Sequence, residues 1–124
     1  MRLGLEATDA YENARKCVQG FLHAGKAEEI IFTRNTTEAL NLVAYSYGLN
    51  RLGPGDEILV SIMEHHSNLL PWQMVSRRTG AELKFLECGQ DGELTEEQIR
   101  KAFTSRTRLT AVTQVPMCSE ERTP

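Results

Sequence analysis

Four short runs of apolar, β-favouring residues recur along this chain, with helix-spaced stretches between them. The runs are residues 30–32 (Ile30, Ile31, Phe32), 57–61 (EILVS), 81–87 (AELKFLE) and 109–115 (LTAVTQV). Helical patterns fall before the first run, at residues 6–22, and between the others, at about 36–49, 67–79 and 95–103. Strands that alternate with helices are joined by right-handed crossovers into a parallel sheet. The expected fold class is therefore α/β, a doubly wound, mainly parallel sheet with helices on both faces. A length of 124 residues suits one domain with a real core and is too short for two.

Local signals set the expected boundaries. Residues 6–22 carry Ala7, Tyr11, Ala14, Val18, Phe21 and Leu22 at steps of three and four, an amphipathic helix with Gly25 suited to its end. His23 reads there as a solvated or capping side chain. The helix after residue 35 is apolar on most sides (Ala39, Leu40, Leu42, Val43, Ala44, Tyr45, Tyr47), which predicts burial. GPGD at residues 53–56 is a turn. Ser67 or Asn68 is expected to cap the next helix, with Pro71 in its first turn and Gly80 at its end. Asp91-Gly92 marks a turn, and Thr95 with Gln98 forms a capping box for a helix to about Phe103.

Ligands of open α/β sheets bind outside the carboxyl ends of the strands. Residues 33–37, 63–68 and 113–117 are expected at that edge. In the first of these, EIIFTRNTTEALNL reads as strand, polar turn and helix start. A helix N-terminus offers unpaired N–H groups and a positive dipole end, and the Thr36 and Thr37 hydroxyls lie beside them. Together they make a candidate site for a phosphate or carboxylate. The plainer alternative is that these threonines only cap the helix.

Several function classes are disfavoured. A net charge of -3 with scattered cations gives no case for nucleic acid or an anionic membrane surface. No apolar run approaches the ~20 residues of a membrane span, and the N-terminus lacks a signal-peptide h-region, so a cytoplasmic protein is expected. Cys17, Cys88 and Cys118 are odd in number and far apart, which fits neither a disulfide framework nor a zinc knuckle. His65 and His66 are adjacent at a strand end and diverge, so no metal site is expected.

The ordered set RNTTEALNLVA, GPGDEILVSIMEHHSNLLPWQM, TGAELKFL, DGELTEEQI and TRLTAVTQV resembles the SUF-type cysteine desulfurases. These are pyridoxal-phosphate enzymes of the class V aminotransferase group, with the fold-type I architecture. The resemblance runs from about residue 3 to Val115. It implies that Thr36 and Thr37 hold the cofactor phosphate, and that His65 stacks on the pyridine ring and assists proton transfer. Glu38, Asn68 and Trp72 match motif positions and read as supporting structure. The family converts L-cysteine to L-alanine, serves iron–sulfur cluster assembly, is homodimeric and passes sulfur to an acceptor protein.

Departures from the pattern begin near residue 116. Met117 stands where the family carries an asparagine that bonds the ring hydroxyl, and PMCSEERTP no longer follows the family. None of Lys16, Lys26, Lys84 and Lys101 lies in a Ser-x-His-Lys setting, so the covalent cofactor anchor is absent. None of the three cysteines matches the persulfide-forming position. The chain is accordingly expected to be one partial domain over 1–124, the N-terminal part of a pyridoxal-phosphate large domain with a divergent tail. It is expected to be inactive alone. The alternatives are a non-catalytic module that pairs with a full-length desulfurase, and an aberrant or partial gene product.

Overall fold

The computed structural model describes residues 2–89 and 94–113, which fall into two units, Met1–Thr33 and Arg34–Pro124. In the first, helix α1 spans Arg2–Leu22. It ends in a Schellman motif, with His23 N–H on the Gly20 carbonyl (3.3 Å) and Ala24 N–H on that of Gln19 (3.0 Å). The left-handed residue of this motif is His23, at φ 54°, and not the expected Gly25. Histidine tolerates this region better than most side chains do. The expected apolar stripe is real in spacing but not buried. Ala7, Tyr11, Ala14, Phe21 and Leu22 are exposed, Phe21 at 83%.

Residues 30–32 are not a strand, contrary to the sequence reading. They follow a 3-10 turn at Ala27–Glu29 and find no ladder partner among the described residues. Their partners come from α1 instead. The Arg15 guanidinium donates to the Ile30 carbonyl and lies over the Tyr11 and Phe32 rings, at 5.1 and 5.6 Å from their centroids. Those two rings meet edge to face at 5.3 Å. β-propensity without a neighbouring strand is not enough to make sheet.

The second unit holds three parallel strands, β1 (Glu57–Ser61), β2 (Glu82–Leu86) and β3 (Thr107–Ala111), in the order β2-β1-β3. Glu57 pairs with Glu82 and Ser61 with Leu86, while β3 slips by a residue at Arg108 between the Glu57–Thr107 and Ile58–Leu109 pairs. The sheet is flanked by helices: α2 (Thr36–Val43), a π-helical turn (Ala44–Gly48), α3 (Leu49–Arg51), α4 (Leu70–Thr79) and α5 (Glu96–Ala102). The parallel α/β architecture is thus as expected, with three strands rather than four. Gln114, Val115, the Asp91-Gly92 turn and the tail from residue 116 lie outside the described residues.

Strand β1 is buried at all five positions, as a central parallel strand covered on both faces must be. Ile58 and Val60 pack with Ala44, Leu52, Trp72, Val75, Ala81 and Ala111 into one core. The helical stretch before it is less buried than its composition suggested. Ala44 and Gly48 are covered, while Leu42, Val43, Tyr45 and Tyr47 are exposed. The turn before β1 has Pro54 second and Gly55 third at φ 93°, closed by Asp56 N–H on the Gly53 carbonyl (3.1 Å), the pattern of a type II turn.

At the amino end of β1, Glu57 is a fully buried carboxylate. One oxygen accepts the Thr104 and Thr107 hydroxyls (2.6 and 3.3 Å); the other is in ionic contact with Arg106 (2.6 Å) and Lys84 (3.0 Å). The Thr104 hydrogen bond, aided by Lys84 and Arg106 against the cost of burial, lowers its pKa from the usual 4.5 to about 2.

Candidate functional site

The carboxyl edge of β1 is where the predicted site residues gather. Helix α2 begins at Thr36, and its N-cap is Asn35: Asn35 Oδ1 accepts the Glu38 N–H at 2.9 Å. Thr36 and Thr37 therefore occupy the first turn without serving as its cap, which corrects the plainer reading. Their hydroxyls have no hydrogen-bond partner among the described residues, and both residues are exposed. Their N–H groups are first-turn donors with no helical acceptor. Glu38, also in this turn, would oppose an anion, but its carboxylate is turned onto Arg34. It accepts the Arg34 backbone N–H (2.7 Å) and two guanidinium contacts at 3.2 Å. The guanidinium and that backbone N–H hold the Glu38 carboxyl below its usual pKa.

The second loop follows β1. His65 ends its extended part, and a 3-10 turn at His66–Asn68 leads into α4. The His65 Nδ1 accepts the Ser67 N–H at 3.1 Å and lies 2.9 Å from the Ser67 hydroxyl. A backbone N–H can only donate, so Nδ1 carries the lone pair and the neutral ring carries its proton on Nε2. Neither Ser67 nor Asn68 caps α4, as the sequence suggested. The helix starts at Leu70 with no side-chain cap, Pro71 sits in its first turn, and Gly80 ends it at φ 78°. His65 provides the side-chain cap instead, for the short turn before the helix.

Asn68 is held elsewhere. Its Nδ2 donates to Glu64 Oε2 (2.7 Å), and its Oδ1 accepts the indole N–H of buried Trp72 (3.0 Å). Glu64 Oε1 accepts the Ser61 hydroxyl (2.6 Å) and the Thr113 N–H (2.8 Å). Glu64 thus fastens the end of β1, the segment after β3 and the His65 loop to one another. Asn68 and Trp72 are supporting structure, as the sequence implied. Glu64 was missed as an organising residue; a carboxylate one residue before His65 and four before Asn68 was the available signal.

Between α2 and the His65 loop lies a cavity of about 460 Å³. Thr37, Asn41 and Tyr45 line one side, with His65, His66, Ser67 and the apolar Leu70, Pro71 and Met74 on the other. The structure thus brings Thr37 and His65 to one cavity, while Thr36 is adjacent to Thr37 but outside the lining. Asn41 and Tyr45, four and eight residues beyond Thr37, could have been found from their helical spacing. The third expected loop contributes Thr113; Met117 and Cys118 lie outside the described residues. Among the described residues no cluster of three metal-ligating side chains occurs, and no helix is long and apolar enough to cross a membrane.

The aminotransferase class-V family model matches residues 1–118. A probable cysteine desulfurase of Halalkalibacterium halodurans is 50% identical over 113 residues, which are 91% of this chain and 28% of that protein. One of Synechocystis sp. is 47% identical over 114 residues, 92% of this chain and 27% of the relative. The chain therefore spans little more than a quarter of the length of these relatives. Among solved structures, the apo cysteine desulfurase of Thermococcus onnurineus NA1 aligns at a TM-score of 0.80 with 43% identity, covering 90% of this chain and 27% of that one. The cysteine desulfurase CsdA of Escherichia coli aligns at 0.74 with 40% identity, covering 86% and 27%. On the match over nearly its whole length, this chain belongs to the aminotransferase class-V family.

Proposed function

We propose that this chain is part of a SUF-type, pyridoxal-phosphate-dependent cysteine desulfurase, and that residues 1–124 form one partial domain carrying the phosphate end of the cofactor site. The single observation behind this reading is the cavity that Thr37 and His65 share. Its chemistry fits the group. The first turn of α2 offers N–H donors and two unpartnered hydroxyls for a phosphate, Glu38 is neutralised by Arg34, and a ring of fixed orientation stands across the cavity from them. Leu70, Pro71 and Met74 give an apolar wall against which a planar ring can lose water.

When bound, pyridoxal phosphate supplies an electron sink for the amino-acid substrate. The residues here bind and orient: Thr36 and Thr37 take the phosphate, and His65 presents its face to the pyridine ring and its Nε2 proton to a bound acceptor. The cavity lining contains no lysine, and Lys84 and Lys101 are engaged by Glu57 and Glu97. The chain alone accordingly binds the cofactor without a covalent anchor and does not turn over cysteine. By this reading the complete protein acts in the cytoplasm as a homodimer, converts L-cysteine to L-alanine and hands sulfur to an acceptor protein for iron–sulfur cluster assembly.

Equilibrium dialysis of the chain against pyridoxal phosphate tests the reading, with inorganic phosphate as competitor. Saturable binding is expected, weakened at least several-fold in Thr37→Val, with the absorbance spectrum remaining that of the free aldehyde. No saturable binding, or binding indifferent to Thr37, would overturn it.

A further inference from the structure

We infer that Glu64 is a positioning residue that sets the orientation of the His65 ring. The inference rests on the role proposed above for His65, but the geometry behind it is independent of any cofactor. Glu64 is half-buried, and three groups aim at its carboxylate: the Ser61 hydroxyl, the Thr113 N–H and the Asn68 amide. Their identities as donors are fixed by their surroundings. The Thr113 N–H can only donate. The indole N–H of Trp72 can also only donate, so Asn68 must turn its oxygen to Trp72 and its NH2 to Glu64. Two of the three partners are therefore committed donors, one on each carboxylate oxygen.

That arrangement calls for an acceptor on both sides, which an ionised carboxylate is and an amide is not. Glutamine has nearly the same shape, yet either orientation places its NH2 against a committed donor, Asn68 in one case and Thr113 in the other. Glu64 is also the residue before His65, and its link through Asn68 to Trp72 ties both ends of the His66–Asn68 turn to the core. That turn carries Ser67, whose N–H holds His65 Nδ1. A loosened clamp frees Ser67 and with it the ring, which then samples both tautomers.

Long-range proton–nitrogen NMR of the assigned imidazoles, on the 124-residue chain, reads this directly. The wild-type chain is expected to show His65 as the Nε2-protonated tautomer, with Nδ1 at the shift of an unprotonated, hydrogen-bonded nitrogen. Glu64→Gln is expected to move both His65 nitrogens toward tautomer-averaged positions while the chain stays folded. Ser61→Ala, which removes one donor, should give a smaller shift in the same direction and replaces the first variant if that one fails to fold. Glu57→Gln, at the opposite end of β1, should leave His65 unmoved. Unchanged His65 signals in folded Glu64→Gln and Ser61→Ala, or an equal shift in Glu57→Gln, would overturn the inference. Failure of cofactor binding alone would bear on the proposed function and not on this clamp.

Discussion

Gly48 lies so close to Val75 that a β-carbon built on the glycine would meet Val75 Cγ2 at 2.8 Å and Cγ1 at 3.2 Å. Val75 is fully buried in α4, and its branched side chain has little freedom to turn aside. Alanine in a helix normally gains up to about 1 kcal/mol over glycine. Here the clash should win, because overpacking a dense core costs about 1–3 kcal/mol. Gly48→Ala is expected to lower the urea midpoint, and a midpoint at or above wild type would refute the close-packing argument.

Acid should weaken the fold through Glu57. Its folded pKa of about 2 lies below the usual 4.5, so between these values the unfolded chain binds the extra proton and the native state does not. The stabilisation is therefore complete above pH 4.5 and is lost as pH falls toward 2. Urea midpoints measured from pH 7 down to 2 should drop across that window. In Glu57→Gln the midpoint should be lower at neutral pH and its decline below pH 4.5 shallower. Parallel pH curves for the two proteins would show that this carboxylate does not titrate as described.

Asn35 and Thr37 should separate stability from binding. Asn35→Ala removes the N-cap of α2 and is expected to cost about 1 kcal/mol. Thr37→Val alters an exposed hydroxyl without a partner, so its stability should stay within about 0.5 kcal/mol of wild type. Only the valine variant should lose affinity for an anion while keeping its unfolding midpoint. Equal destabilisation of both would return Thr37 to a structural role.

Trp72 is the single tryptophan of the chain, 2% exposed, with its indole N–H on Asn68. Emission should be that of an indole shielded from water and should move to longer wavelength on unfolding. Asn68→Ala leaves that N–H buried without its partner, at a cost of about 1–3 kcal/mol. Emission already at the solvent-exposed wavelength in the native chain would contradict the packing described for α4.

What the sequence conveyed best was whatever depends on local chemistry. The β1 run, the GPGD turn, Gly80 as a helix stop and the Thr95–Gln98 capping box all appear where residue type demands them. Thr37 and His65 were also legible as site residues, and the cavity joins them. The failures are all cases where a distant partner decides. Ile30, Ile31 and Phe32 favour a strand but are taken up by Arg15 and Tyr11 of α1. Asn68 favours a cap but is drawn to Glu64 and Trp72, and that choice is invisible without knowing that all three converge. The π-helical turn had no sequence signal, since its residues are ordinary helix formers and aromatics.

That turn makes chain length itself a determinant of packing. Leu49 N–H reaches back five residues to the Ala44 carbonyl, so Ala44–Gly48 holds one residue more than a regular turn of the same rise. Deleting a single residue there would restore an uninterrupted helix and rotate everything after it by about 100° relative to Thr37 and Asn41. Gly48 would swing off Val75 and a bulkier neighbour would take its place. Relatives one residue shorter at this point should therefore carry a compensating change opposite Val75, a pairing that can be sought in sequences alone.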